Sequence, residues 1–301
     1  MNKVAITTNS ACIFAETARE YGITLIPFHI IIEGKDHLDP EVDMEKLYVR
    51  LDERKNLPTT STLTVAEFLQ TWQELASNAE TILHISMTRA FTGAYNLALQ
   101  AKEMARERLP KTSIEVIDSR TTGSGLALIC IKAAEAARQG KNMKEVTELV
   151  NYLIPRVNQF SSRDTLFYLD KGGRVFEAKS WAEAELVSSF RAIIEIDDSS
   201  GGVTKPVARA KTRTEIMNKL VDITKERAEG KKLHVAILHT RSPEQAEKLK
   251  GLASSQLQCE EIHIGEGSAT VAVFNGRGLI ELSFYASEKD LTDSKELGVK
   301  E

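Results

Sequence analysis

The chain has 301 residues, of which 42% are hydrophobic and 27% are charged, and its formal net charge is -4. This is the balance of an ordinary globular protein, and the length is typical of one large or two medium-sized domains. The sequence contains no basic block or stripe, which argues against a general nucleic-acid surface. It contains no apolar run long enough to span a bilayer, so we expect no stable membrane insertion.

The first residues run directly into a strand-like segment and lack the features of a secretory signal. The cysteines Cys12, Cys130 and Cys259 are far apart, and with six scattered histidines they form no metal-ligating pattern. We therefore expect a cytoplasmic protein with reduced thiols and with no metal or other cofactor.

The first half of the chain predicts strands that alternate with helices. The strands are expected at residues 3–8, 23–32, 81–87 and 113–117. The helices are expected at residues 64–75, 93–109, 122–138 and 143–158, the first of them beginning at the capping box of Thr64 and Glu67. This alternation predicts an α/β fold with a mostly parallel sheet that has helices on both faces.

The pattern changes after residue 158. A β-hairpin is expected from strands 193–197 and 203–208, followed by a helix at 212–229 and strands at 233–239, 261–264 and 279–285. Ser242 to Gln245 has the form of a second capping box, with Pro243 at the first helical position. We therefore predict a two-domain α/β protein, with an N-terminal domain at 1–158, a C-terminal domain with a mixed sheet at 159–290 and a loose tail at 291–301.

Polar residues recur where the predicted strands of the first domain end. They are Asn9-Ser10, residues 59–62, residues 88–93 and Asp118-Ser119. In an open parallel sheet, ligands bind in the crevice outside the carboxyl ends of the strands. Hydroxyls and helix N-termini in that crevice are suited to hold an anion.

Five short segments of the chain, in their order and spacing, resemble the DegV family. The segments are Asn9-Ser10-Ala11, Thr60-Ser61-Thr62, Phe91-Thr92-Gly93-Ala94-Tyr95, Val116-Ile117-Asp118-Ser119 and Leu169-Asp170-Lys171-Gly172-Gly173-Arg174. The resemblance extends from residue 3 to about residue 285. It implies a two-domain carrier that encloses one long-chain fatty acid between its domains, and for some members a fatty-acid kinase that phosphorylates the carboxylate.

The resemblance also implies a set of binding residues. The carboxylate would be held by Thr60, Ser61 and Thr62 together with Thr92 and Gly93. Arg174 would act as a lid or as a docking residue for a partner. Phe274 would lie near the head group.

The sequence departs from the family pattern at several of these positions. Asn9 replaces an aspartate, and Thr62-Leu63 replaces a Gln-Pro pair. Near the C-terminus, Phe274 and Arg277 replace the histidine and proline of a His-x-Gly-Pro-Gly motif. Loss of the histidine favours a different lipid, or a carrier outside the kinase pathway.

Simpler structural roles remain open for the same residues. Residues 60–62 are also suited to cap the following helix. The loop at 171–174 lacks the spacing of a phosphate-binding loop and is also typical of an exposed turn. His84 lies within an apolar strand, where a buried core role is favoured over that of a general base.

The alternative to a carrier is an enzyme, either a phosphotransferase or a serine hydrolase that uses Ser61 or Ser119. A hydrolase needs its nucleophile beside a base and a third orienting group. The sequence contains no GxSxG motif. We therefore favour a binding protein over an enzyme.

Overall fold

The computed structural model describes residues 4–12 and 14–287. Its strands are, in chain order, β1 (Val4–Asn9), β2 (Thr24–Ile26), β3 (His29–Ile32), β4 (Lys35–Leu38), β5 (Thr59–Ser61), β6 (Thr81–Ser86), β7 (Ser113–Asp118), β8 (Asn158–Ser162), β9 (Arg191–Glu195), β10 (Lys205–Ala210), β11 (Leu233–His239), β12 (Cys259–Glu266) and β13 (Ile280–Ala286). Its helices are α1 (Ala15–Tyr21), α2 (Met44–Asp52), α3 (Val65–Ala76), α4 (Ala94–Arg108), α5 (Gly123–Arg138), α6 (Met143–Leu153), α7 (Phe167–Lys171), α8 (Lys179–Glu185), α9 (Arg213–Ala228), α10 (Pro243–Gln256) and α11 (Ala269–Asn275). Over these residues, no helix is both long and apolar enough to cross a membrane.

The first sheet is parallel throughout, with the strand order β2-β1-β6-β7. Every residue of β6 is buried, as a strand covered on both faces requires. Helices α3 and α4 lie against one another beside this sheet, and α5 and α6 form a second such pair. The predicted parallel sheet flanked by helices is confirmed.

The second sheet is mixed and has the order β10-β9-β8-β13-β11-β12. Strands β11 and β12 are parallel, whereas the other neighbours pair antiparallel. Helices α9 and α10 pack against it through a separate apolar core. The predicted mixed sheet and the predicted hairpin of β9 and β10 are therefore both confirmed.

Helix α5 lies between the two sheets. It contacts β1 of the first sheet and both β11 and β13 of the second. Its first half reads Gly-Ser-Gly-Leu-Ala-Leu-Ile-Cys-Ile and is buried on all sides. A helix that is apolar all round belongs in an interior, so α5 joins the two halves of the molecule.

A third, small sheet has the antiparallel order β4-β3-β5. It packs on α2 and α11 through Ile30, Leu47, Tyr48 and Ala272. This packing places β5 and α11, which come from distant parts of the sequence, close to each other.

The sequence predictions fail in two places and are incomplete in others. The helix expected at 143–158 ends at Leu153, and Asn158 instead begins β8. The capping box expected at Ser242 is wrong, because its hydroxyl donates to the carbonyl oxygen of Thr240 at 3.2 Å rather than capping α10. The run at 23–32 forms two strands in different sheets, and α1, β4, β5, β8, α7, α8 and α11 were not predicted.

The capping box at Thr64 is confirmed. The Thr64 hydroxyl accepts from the Glu67 backbone N–H at 3.3 Å, and the Glu67 carboxylate accepts from the Thr64 N–H at 2.6 Å. The division into domains at residue 158 stays a prediction, and the tail expected at 291–301 lies outside the described residues.

Candidate functional site

A cavity of about 310 Å³ lies where the carboxyl ends of the first sheet face the second sheet. Residues that follow β1, β6 and β7 contribute to its wall, as do residues at the ends of β8, β9 and α11. Much of the lining is apolar and includes Phe28, Met87, Phe91, Leu169, Ile196 and Val271. The location is the one expected for a ligand site in an open α/β sheet.

All seven residues predicted from the sequence line this cavity. They are Thr60, Ser61, Thr62, Thr92, Gly93, Arg174 and Phe274. They come from β5, from the loops before α3 and α4, from the loop after α7 and from α11. The structure therefore brings them together, while their roles toward a ligand stay a prediction.

Two hydroxyl groups face each other at one part of the wall. The Oγ1 atoms of Thr62 and Thr92 are 3.5 Å apart. Thr92 Oγ1 also accepts from the backbone N–H of Ala94 at 3.2 Å, at the start of the fifteen-residue helix α4. Because the N-terminus of a helix carries a partial positive charge, this part of the wall is suited to bind an anion.

The neighbouring hydroxyls of Thr60 and Ser61 do not cap α3. Thr60 and Ser61 belong to β5, where they pair with Ile30 and His29 of β3. Thr64 alone supplies the side-chain cap of α3. The simpler interpretation, in which residues 60–62 form a capping cluster, is therefore wrong.

Arg174 is held in the cavity wall. Its Nε donates to the carbonyl oxygen of Phe91 at 2.9 Å, and its guanidinium lies 5.1 Å from the centre of the Phe274 ring. Partial burial lowers the pKa of Arg174 below its ordinary value. The side chain is thus anchored to the wall rather than extended into solvent.

Phe274 packs closely against the loop that follows α7. A Cβ atom at Gly172 would come within 2.5 Å of the Phe274 ring, so glycine is needed there for this contact. An outer groove of about 400 Å³ lies next to the cavity and shares Thr60, Arg174 and Phe274 with it. These three side chains therefore separate the cavity from the groove.

Two charged residues that line the cavity were not predicted from the sequence. Arg163, directly after β8, is 4% exposed, and Glu281 in β13 is also 4% exposed. Burial lowers the pKa of Arg163 to about 10, although the charges of Glu281 and Glu185 act in the opposite direction. Burial raises the pKa of Glu281, an effect that the hydrogen bonds from Ser124 partly offset.

The sequence gives only a weak indication that these two residues line a cavity. Glu281 is the one charged residue in the largely apolar run at 279–285. Arg163 follows a strand whose sequence, Asn-Gln-Phe-Ser-Ser, has no apolar alternation. The strand was not predicted, and so the position of Arg163 at its carboxyl end was not predicted either.

Asp39 supports the cavity wall from behind. It is 3% exposed and accepts from the hydroxyls of Ser10 at 2.6 Å, Ser268 at 2.9 Å and Thr270 at 2.8 Å. It also accepts from the Thr270 backbone N–H at 3.2 Å. Thr270 lines the cavity, so this carboxylate holds the start of α11 in place.

Among the residues that the structure describes, neither candidate nucleophile of the enzyme hypothesis has a free histidine base beside it. The Ser119 hydroxyl is buried and donates to the Thr121 carbonyl oxygen at 3.2 Å. Ser61 lies opposite His29, but His29 binds Glu67 through Nε2 at 2.6 Å and Asp36 through Nδ1 at 2.9 Å. Both ring nitrogens are thus engaged by carboxylates, which leaves neither to accept a proton from Ser61.

His84 is a buried core residue, as its position within an apolar strand predicted. It is fully buried, and its Nδ1 lies 3.0 Å from the hydroxyl oxygen of Thr7. Burial lowers the pKa of His84 to about 3, so the ring is neutral at physiological pH. Within the described part of the chain, no group of three or more His, Cys, Asp or Glu side chains is arranged to hold a metal ion.

Two sheets that share a central helix define an α/β protein, and the largely apolar cavity with a few convergent hydroxyls is a candidate small-molecule site. The model of the DegV family, described as "Uncharacterised protein, DegV family", matches residues 3–287. The chain therefore belongs to the DegV family.

Similar proteins come from several bacteria. A DegV domain-containing protein of Clostridium perfringens is 26% identical over 284 residues, which cover 94% of this chain and 98% of that protein. A DegV family protein of Eubacterium eligens, solved loaded with heptadecanoic acid, is 21% identical, with a TM-score of 0.84 over 94% of this chain and 100% of that one. A stearic acid-binding protein of Eubacterium ventriosum is also 21% identical, with a TM-score of 0.82 over 95% of this chain and 98% of that one. At this level of identity, the two solved structures establish a shared fold.

Proposed function

We propose that this protein is a carrier that encloses one long-chain fatty acid in the cavity and holds its carboxylate at Thr62 and Thr92. The observation that carries the proposal is the pair of hydroxyls 3.5 Å apart at the N-terminus of α4, set in a largely apolar wall. A carboxylate accepts charge-assisted hydrogen bonds from hydroxyl and backbone N–H groups, and the helix end favours its charge. Gly93, Thr60 and Ser61 complete this head-group site.

The rest of the cavity wall supports binding of an acyl chain. Each methylene group removed from water contributes about 0.8 kcal/mol, so a long chain binds firmly even with few polar contacts. Met87, Leu169 and Ile196 offer apolar surface for such a chain. The acids held by the two Eubacterium proteins support the same class of ligand for the shared fold.

Binding without turnover is favoured over the enzyme alternatives. His29 offers no free ring nitrogen to Ser61, and the Ser119 hydroxyl is engaged by a backbone carbonyl. Delivery of the acid to a fatty-acid kinase, which the family resemblance implies, stays a prediction, as does the cytoplasmic location. Phe274 offers no group for proton transfer at the position where the family pattern has histidine.

The head-group assignment is tested by the paired substitution Thr62→Val and Thr92→Val, which keeps side-chain shape but removes both hydroxyls. Hydrogen bonds to a charged group contribute about 1.5–3 kcal/mol each. The affinity for a fluorescent long-chain fatty acid should therefore fall by at least about tenfold.

Thr147→Val is the matched control for this pair. Its buried hydroxyl has no hydrogen-bond partner in the described residues, and it does not line the cavity. This variant should bind the fluorescent acid as the parent does. Equal affinity in the parent and in the paired variant would contradict the assignment.

A further inference from the structure

Arg163 lines the cavity and carries hydrogen-bond donors that have no partner among the described residues. Its guanidinium donates through Nη2 to the Ser161 hydroxyl at 2.9 Å. Its Nε and Nη1 are buried and have no hydrogen-bond partner among the described residues. A buried cation with unpaired N–H groups is costly, so the cavity favours a ligand that supplies an acceptor at this position.

Glu281 lies beside this guanidinium. Ser161 of β8 stands directly opposite Glu281 of β13 in the antiparallel ladder. Side chains of directly opposite residues project to the same face, with Cβ atoms about 5 Å apart. The hydrogen bond from Arg163 to Ser161 therefore directs the guanidinium toward the face that carries Glu281, and both residues line the cavity.

Glu281 is anchored by the start of α5. Its Oε1 accepts from the Ser124 backbone N–H at 2.6 Å and from the Ser124 hydroxyl at 2.7 Å. A Cβ atom at Gly123 would lie 2.3 Å from Oε1, so only glycine allows this approach. The two Ser124 donors and the N-terminus of α5 favour the charged carboxylate, in which Glu281 is an acceptor.

A cationic hydrogen-bond donor and an acidic acceptor thus line the same largely apolar cavity. A plain methylene chain would satisfy neither of them. A second carboxylate on the ligand would meet the negative charge of Glu281. A hydroxyl group accepts one hydrogen bond and donates another, so it matches both Arg163 and Glu281.

We propose that Arg163 and Glu281 make the cavity selective for a long-chain fatty acid that carries a hydroxyl group on its chain. This inference rests on the proposed function, because the carboxylate would still be held at Thr62 and Thr92. A site built to hydrogen-bond a ligand hydroxyl discriminates strongly against the analogue that lacks it, since its own polar groups are then left unpaired.

The test is a competition in which the full-length protein is incubated with equimolar stearic acid and one hydroxystearic acid at a time. The series covers hydroxyl positions from the carboxyl end to the methyl end of the chain, and native mass spectrometry reads the ratio of bound acids. For at least one position, the parent should favour the hydroxy acid by about tenfold or more.

The variants Arg163→Met and Glu281→Gln should reduce this preference to within about twofold. Arg163→Met removes the buried cation, and Glu281→Gln keeps an acceptor for Ser124 but not the charge. Arg108→Met, at an exposed arginine of α4 outside the cavity lining, is the control and should keep the preference of the parent. Thermal unfolding of each variant confirms that it is folded.

The possible outcomes separate the two proposals. If stearic acid binds no more weakly than any of the hydroxy acids, and Arg163→Met leaves the ratio of bound acids unchanged, the proposed selectivity is overturned. The fatty-acid site is not overturned by this result. Binding of no acid of either kind would overturn both. A preference that disappears in both cavity variants but persists in the control is the expected result.

Discussion

At the scale of single residues, the cavity depends on a carboxylate that does not line it. Asp39 binds Ser10 after β1, and Ser268 and Thr270 at the start of α11. These segments are far apart in sequence and meet only in the folded chain. A single buried acid therefore holds the start of α11 against the end of the first sheet.

Replacing Asp39 by alanine should lower the free energy of unfolding by about 3 kcal/mol, because it leaves several buried donors without an acceptor. Denaturant unfolding measures this change. Asp39→Asn, which retains one acceptor oxygen, should cost less. Asp222→Ala, at an exposed position of α9, is the control and should change stability little. A loss at Asp39 no larger than that at Asp222 would contradict the proposed support of α11.

At the scale of elements, His29 connects β3 to both β4 and α3. Its imidazole binds Asp36 of β4 and Glu67 of α3. Partial burial lowers the pKa of His29, but the hydrogen bonds to Glu67 and Asp36 outweigh that effect, so the pKa lies above its ordinary value. Charged His29 is thus favoured in the folded state.

A raised pKa gives a stability contribution that is complete below the ordinary histidine value of about 6.5 and is lost as pH rises through the folded value. Substitution of His29 by glutamine should therefore cost more stability at about pH 5.5 than at about pH 8.5. Thermal or denaturant unfolding at the two pH values measures the difference. In a chain that also carries Asp36→Asn and Glu67→Gln, the loss of stability caused by His29→Gln should no longer depend on pH. A cost independent of pH in the parent would refute the role of the charged ring.

The elements also show where sequence reasoning succeeds and where it fails. Thr64-Val-Ala-Glu67 and Ser242-Pro-Glu-Gln245 have the same capping pattern, yet only the first forms a capping box. At Ser242 the hydroxyl donates to the Thr240 carbonyl oxygen, a local contact that the pattern does not encode. Strand β8 was missed because buried serines occupy inward positions where a sequence pattern requires apolar side chains.

At the scale of the whole molecule, the alternation of strands and helices was sufficient to predict the parallel sheet, and the change of pattern after residue 158, with its expected hairpin, indicated the mixed sheet. The predicted residues around the cavity could not be brought together in this way, since they come from β5, from the loops before α3 and α4, from the loop after α7 and from α11. Their likeness to family segments identified Thr92 and Arg174, but periodicity alone would not have placed them together. Arg163 and Glu281 could not be placed because their proximity arises from pairing between β8 and β13, which is a tertiary feature.

The proposed function concerns the whole molecule, because the cavity wall takes residues from the loops that follow strands of the first sheet, from strands of the other two sheets and from helices. Native and then denaturing mass spectrometry of the full-length protein, expressed in bacteria, measures its ligand directly. We expect one additional mass per chain that corresponds to a fatty acid and is lost on denaturation. A native mass equal to that of the bare chain, unchanged after incubation with an excess of long-chain fatty acids, would contradict the proposed carrier function.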